Sequence, residues 1–326
     1  MLRYAVRRLL ELIPTTIGIL LLTFVLFNVV GGSPAAVVLG KNATKEEIEK
    51  YNEEHGYNKP LILNTQNFGL SVEQLKSLFD SQFGNFIKSV AVCEFGESSE
   101  HKEPVLDVLK RGVGPSLSLT VPMLVCGTLV GLVLAMGCAA FRGGAFDKSV
   151  LVVSTVLMSV NYVVWVLAGQ FFLAYKLHIF PIWGYEGAFS FYLVLPVLIG
   201  VLSSLGVDIR FFRTAVLDEI YKPYVRTARA KGLSGPKILV KHVLRNSLIP
   251  IVTYVSLSIP YLFTGSLLLE TFFGIPGLGS VSLNAINSAD FVVVRTVVLL
   301  GALLYQVVNL VTDLAYAALD PRVRLG

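Results

Sequence analysis

The sequence predicts an all-α polytopic membrane protein. It has six transmembrane helices, both termini cytoplasmic, a large external segment between helices 1 and 2, and a short cytoplasmic helix between helices 4 and 5. Three observations carry this. Of 326 residues, 54% are hydrophobic and 15% charged, against about 25% charged in ordinary soluble domains. Apolar runs fall at 9–30, 115–140, 149–175, 191–212, 247–270 and 291–317, each long enough for the roughly 20 residues a helix needs to cross a hydrocarbon core of about 30 Å. Lysine and arginine, finally, collect on alternate connecting segments.

The first run follows Met1-Leu-Arg-Tyr-Ala-Val-Arg-Arg8, a start that could be mistaken for a secretory signal. The apolar stretch Leu12 to Val30 is nineteen residues, longer than the 7–15 of a signal peptide, so a retained first helix is expected. The external segment from Gly31 to about Gly114 carries nine Lys/Arg against twelve Asp/Glu between Lys41 and Arg111. Within it, Thr44 to Glu54 has the acidic first turn of an amphipathic helix, with Thr44 as N-cap and Glu47 closing a capping box. Ser71–Phe79 and Pro104–Lys110 are two further short helix candidates. Asn42-Ala-Thr44 also matches a glycosylation triplet, a weak signal that capping by Thr44 explains without it.

A charge at the centre of a span costs about 2.5–3.5 kcal/mol on insertion scales. The spans obey this: Glu11, Asp208, Glu270, Arg295 and Asp313 sit near the ends of theirs, and Lys148 and Lys176 bracket the third. Pro122, Pro196, Pro250 and Pro260 fall within helical runs, where neighbouring helices can re-satisfy the freed carbonyls, and they predict kinks. Gly127 and Gly131 have GxxxG spacing and, with Gly137, suit close helix packing. With the amino terminus inside, the inner segments hold Arg3, Arg7, Arg8, Arg142, Lys148, Arg210, Arg213, Lys222, Arg226, Arg229, Lys231, Lys237, Lys241, Arg245, Arg322 and Arg324, and the short outer ones only Lys176 and Arg295. That imbalance sets the orientation and accounts for most of the +5 net charge without nucleic acid.

Segment 213–246 is the most informative. Pro223 suits a first helical turn, Arg226 to Lys231 are good helix formers apart from Thr227, and Gly232 supplies a stop. A helix over Lys222–Gly232 would stack Tyr224 and Ala228 on one face and project Arg226 and Arg229 from neighbouring positions. Small Ala228 and Ala230 would let another surface approach. Ser234-Gly-Pro-Lys237 then turns the chain into a second helix.

Several chemistries are excluded. No Gly-x4-Gly-Lys-Ser/Thr loop is present, and Gly40-Lys41-Asn42 lacks both the spacing and the hydroxyl. Gly274-Ile-Pro-Gly277-Leu-Gly279 follows a span and precedes no dinucleotide-binding unit, so it reads as turn chemistry. His55, His101, His178 and His242 are scattered, and Cys93, Cys126 and Cys138 show no pairing or metal spacing. Asp208, Glu270 and Asp313 are dispersed at different depths rather than paired. No catalytic residue, metal or cofactor is expected. Asn161, Gln170, Gln306 and Asn309 are polar groups within spans that either line a path or bond between helices.

Tyr224-Val-Arg-Thr-Ala-Arg-Ala-Lys-Gly-Leu233 followed by Lys241-His-Val-Leu-Arg-Asn-Ser-Leu-Ile-Pro250 resembles the cytoplasmic motif of the B-type permease subunit of dipeptide and oligopeptide ABC importers, within the binding-protein-dependent transport family. Arg226, Thr227 and Ala228 stand where many importer permeases have Glu-Ala-Ala. Leu2–Arg8 with Gly32-Ser-Pro34, Gly265–Gly279 and Asp320-Pro-Arg-Val-Arg324 are similar to further family blocks. The resemblance implies a multi-pass subunit of the bacterial inner membrane that forms half of a peptide pathway. It also implies a second, homologous permease, two cytoplasmic ABC ATPase subunits that hydrolyse the ATP, an extracytoplasmic solute-binding protein and surrounding lipid as partners. ATPase coupling would fall to Tyr224, Arg226, Thr227, Ala228, Arg229, Ala230 and Gly232. Nickel chelates, oligosaccharides or opines as cargo, and a non-transporting scaffold or sensor, stay open as alternatives. The expected division is 1–30, stub and first helix; 31–114, external segment; 115–317, permease core; and 318–326, tail.

Overall fold

The computed structural model describes residues 2–30, 43–54, 57–62 and 80–319. The candidate helix at 71–79, the Gly32–Pro34 block, Asn42, His55 and the 320–324 block lie outside the described residues. In chain order the helices are α1 (Leu2–Val25), α2 (Lys45–Glu54), α3 (Gln82–Ala91), α4 (Val105–Ala140), α5 (Ala145–Ser159), α6 (Tyr162–Gly169) and α7 (Val194–Ile220). They continue as α8 (Pro223–Ala230), α9 (Gly235–Ile238), α10 (Arg245–Ser256), α11 (Ile259–Thr264), α12 (Leu267–Phe273), α13 (Leu278–Asn287) and α14 (Phe291–Leu319). The only β pairing among the described residues is an isolated antiparallel bridge between Glu97 and Pro104.

Helical stretches at Arg7–Val29, Val105–Ala140, Phe191–Ile220, Gly235–Ser256 and Phe291–Leu314 are long and apolar enough to cross a membrane. The pair Ala145–Ser159 and Tyr162–Lys176, bent by 93°, makes a sixth if it counts as one span. Three expectations are corrected in detail. The third span is broken at Val160–Asn161, both extended, because the Asn161 side chain accepts from the Val163 N–H at 2.9 Å and caps a new helix. The fifth run does not extend as one helix to 270: it ends at Ser256, Pro260 falls in the first turn of α11, and Gly265, at φ +72°, separates α11 from α12. The short helix expected at Pro104–Lys110 is instead the opening of α4, which contains Pro115 and Pro122 without a break.

Two compact units divide the chain, Met1–Arg111 with Val281–Gly326, and Gly112–Ser280. In the first, α1 and α14 are joined by Gln306, whose Nε2 donates to the Leu12 carbonyl at 2.9 Å while the Thr16 hydroxyl donates to its Oε1 at 3.2 Å. Arg8 pairs with Asp313 at 3.3 Å, and buried Phe24 meets Phe83 and Phe86 of α3 at 5.3 and 5.9 Å. The capping box closes as expected: the Thr44 N–H donates to Glu47 at 2.8 Å and the Glu47 N–H to the Thr44 hydroxyl at 3.3 Å, which holds the Glu47 carboxyl below its usual range.

In the second unit α7 is the central strut, because glycines let its neighbours approach. Gly127 and Gly131 of α4 face Ser204, Asp208 and Phe212, and a Cβ on Gly131 would sit 3.1 Å from the Phe212 ring. Gly206 of α7 lies against α5, where a Cβ would stand 2.6 Å from the Ser154 carbonyl oxygen. That contact is with backbone, so the helices must separate to admit a methyl group. Gly206→Ala is therefore expected to destabilise by about 1–3 kcal/mol, read as a lower melting temperature in detergent. An unchanged melting temperature would show that α5 and α7 do not pack this closely.

Candidate coupling interface

The segment after α7 folds as its residue types dictate. Lys222 is extended, Pro223 fills the first helical position where a missing N–H costs nothing, and α8 runs to Ala230. Gly232 then adopts φ +79°. Its N–H donates to the Arg229 carbonyl at 2.9 Å and the Leu233 N–H to the Ala228 carbonyl at 3.3 Å, the paired bonds of a Schellman stop. Leu233 completes the motif by packing onto the same cluster as Ala228.

That cluster fixes which face of α8 is free. Val225 and Ala228 are buried with Ala139, Val216, Ile238 and Val243, and Tyr224 packs half-buried against them. The Tyr224 hydroxyl donates to Glu219 at 2.6 Å. Burial first, and the adjoining carboxylate second, push the phenol up to about 12, so it stays a neutral donor. Arg226, Thr227, Arg229, Ala230 and Gly232 are exposed. The seven residues expected to contact a partner thus divide. Tyr224 and Ala228 hold the helix to its own chain, and Ala230, not Ala228, is the small residue open to an approaching surface. The outward face is basic, since Lys222, Lys231, Lys237 and Lys241 are also exposed.

The polar residues proposed along a path are mostly engaged elsewhere. Asn161 caps α6, Gln170 donates to the carbonyls of Ile182 and Phe272 at 2.9 and 3.0 Å, and Gln306 joins α1 to α14. Asn309 is half-buried on α14. The dispersed acids each answer to a different partner: Asp313 to Arg8, Asp208 to the Tyr254 hydroxyl at 3.0 Å, and Glu270 to a cradle of donors.

That cradle was missed by sequence reasoning. Glu270 is fully buried; its Oε1 accepts from the Ser116 hydroxyl at 2.8 Å and the Ser266 N–H at 3.0 Å, and its Oε2 from the Ser280 N–H at 3.0 Å. Ser116 in turn accepts from the Leu278 N–H at 2.7 Å. The Gly274–Gly279 turn wraps the carboxylate so closely that a Cβ on Gly277 would lie 2.5 Å from its carboxyl carbon. The available signal was the glycine spacing on both sides of one acid. Asp147 is also buried and receives two parallel bonds from half-buried Arg213, Nε to Oδ1 at 2.7 Å and Nη2 to Oδ2 at 2.9 Å.

Comparison with known proteins gives a consistent relationship. The family model described as binding-protein-dependent transport system inner membrane component matches residues 127–325, and the corresponding N-terminal model matches residues 1–120. The chain is 31% identical to the dipeptide transport system permease protein DppB of Bacillus subtilis, over 100% of this chain and 99% of that one. It is 30% identical to the probable peptide ABC transporter permease protein y4tP of Sinorhizobium fredii, over 98% and 99%. It is 29% identical to the glutathione transport system permease protein GsiC of Escherichia coli K12, over 99% of each chain.

Proposed function

The chain belongs to the binding-protein-dependent transport system inner membrane component family, and from that membership we propose that it is the permease subunit of an ABC importer for short peptides. It is a multi-pass protein of the bacterial inner membrane and a transporter component rather than an enzyme. Two of the relatives are named for dipeptide and glutathione transport, which favours small peptides over nickel chelates, oligosaccharides or opines. A scaffold or sensor without transport is disfavoured by the end-to-end match to permeases.

In this reading both termini and segment 213–246 face the cytoplasm, and 31–114 faces the binding protein. A second permease completes the pathway, and two ATPase subunits hydrolyse the ATP. The observation that carries the coupling role is the outward face of α8. A helix pinned from behind by Tyr224, Val225 and Ala228 and stopped at Gly232 presents Arg226, Thr227, Arg229 and Ala230 as a rigid ridge. A ridge that cannot rotate on its own chain transmits a push from an ATPase cleft into α7 and α10, converting nucleotide-driven closure into movement of the membrane helices.

The assembly purified with its partners and reconstituted into vesicles tests this. Dialanine in the presence of the binding protein is expected to stimulate ATP hydrolysis and to accumulate; stimulation by a nickel chelate or an oligosaccharide alone would overturn the peptide assignment. Gly232→Val places a β-branched residue at a positive φ, a strain of about 1–2 kcal/mol directed at the end of α8. No atom crowds the site, so the fold should survive while uptake falls away from hydrolysis. Normal dialanine uptake with normal stimulated hydrolysis in that variant would remove α8 from the coupling role.

A further inference from the structure

A cavity of about 360 Å³ opens within the Gly112–Ser280 unit, among α4, α7 and α10. Its size lies in the range of small-molecule sites, about 300–1,000 Å³. Thr128, Ser203, Ser204, Tyr254 and Tyr261 line it with hydroxyls, and Asp208 is its only ionisable carboxyl. Asp208 lies in a stretch apolar enough to span a membrane, where a charged side chain is costly and marks a site or a pathway.

What surrounds Asp208 leaves it directed at that space. It takes part in no ion pair among the described residues; the next arginines of α7 turn to α5, Arg210 to Ser154 and Thr155 and Arg213 to Asp147. One carboxylate oxygen accepts from the Tyr254 hydroxyl at 3.0 Å. The Tyr254 ring is itself fixed, stacked on Phe211 at 4.4 Å and edge-on to Phe212 at 5.9 Å. Across from it Gly127 of α4 faces the carboxylate and the Ser204 hydroxyl, the position of a Cβ there lying 3.8 Å from Oδ2 and 3.6 Å from the Ser204 oxygen. A fixed acceptor with spare lone pairs, ringed by hydroxyls and without a cation of its own, is complementary to a primary ammonium.

We propose that Asp208, held by Tyr254, is where the permease receives the protonated amino terminus of a short peptide, with the hydroxyls around the cavity meeting its first peptide group. This rests on the peptide-importer reading above and adds a residue-level contact to it.

The test uses the assembled importer without its binding protein, so that selection by that protein does not enter, and measures equilibrium binding of radiolabelled dialanine. Wild type is expected to bind dialanine, and N-acetyl-dialanine, which has no ammonium, is expected not to compete. Asp208→Asn should weaken binding by at least about tenfold, as loss of a charge-assisted bond implies, and Asp208→Glu should restore most of it. Equal binding by D208N, equal competition by the acetylated peptide, or no binding by an importer that still takes up dialanine with its binding protein would each overturn the proposal. The competition experiment needs no variant to fold. Failure of the complete wild-type assembly to import dialanine or any other short peptide would instead sink the peptide-importer reading, and this proposal with it.

Discussion

Glu270→Leu is expected to yield little or no folded protein. The substitution keeps bulk but strips the acceptor from the Ser116 hydroxyl and from the Ser266 and Ser280 N–H groups, all three directed at one buried carboxylate. Each buried donor left unsatisfied costs about 1–3 kcal/mol, and three together approach the 5–15 kcal/mol that holds a typical fold. The loss cannot be relieved by collapse. Gly265, Gly277 and Gly279 already press the backbone against the site, with Cβ positions 2.3 Å from Oε1, 2.5 Å from the carboxyl carbon and 2.9 Å from Oε2 respectively. Glu270→Gln keeps one good acceptor oxygen but turns an amide toward a donor, so it should fall between wild type and leucine. Solubilised yield and melting temperature decide the order; a leucine variant as stable as wild type would mean that the loop folds without its carboxylate.

The same residues show where the sequence is legible. The membrane-crossing runs could be read because hydropathy averages over a whole helix, but their ends were less legible: α4 opens at Val105 rather than 115 and α7 continues to Ile220 rather than 212. Averaging is blind to a single competing side chain. Asn161 breaks the third span by offering its own oxygen to the Val163 N–H, and Gly265, beyond the end of α10 at Ser256, breaks the remainder of the fifth run by adopting φ +72°; neither residue alters the mean apolarity of its run. Pro115 and Pro122, the stronger breakers on propensity, are carried inside α4.

Helix α8 was legible for the opposite reason. Its start at Pro223 and stop at Gly232 are local chemistry, written in the residues that perform it. Which face looks inward is not local. Ala228 could have been a contact for a partner on size alone, and only the apolar neighbours Val216, Ile238 and Val243, drawn from three other helical segments, assign it to the interior. Glu270 and Asp208 stood out as acids near the ends of spans. The donors that make one a structural hub and the cavity that makes the other a candidate contact come from distant parts of the chain, Ser116 and Tyr254.

Asp147→Ala should cost about 1–3 kcal/mol, the range for stripping hydrogen-bonded partners of their acceptor, and less than the penalty at a fully buried ion pair because the Arg213 side chain keeps 20% of its surface exposed. Arg213 would keep its charge against α5 with both of its parallel bonds gone, and the Gly143 N–H, which donates to Asp147 at 3.0 Å, would lose its acceptor at the start of that helix. Part of the penalty is the half-buried guanidinium left without its carboxylate, and part the unsatisfied Gly143 N–H. Asp147→Leu with Arg213→Met follows from this as a sharper test, because it removes both charges and fills similar volume. The double variant should recover most of the melting temperature lost by D147A, since the desolvation of two ions roughly cancels their attraction. The excess over additivity in the cycle formed with Arg213→Met and Asp147→Leu alone measures the pairing between α5 and α7. Additive losses would show that Asp147 and Arg213 act independently, and that α5 is held to α7 by the close approach at Gly206, the bonds of Arg210 to Ser154 and Thr155, and the packing of Leu157 on Leu205 and Ile209.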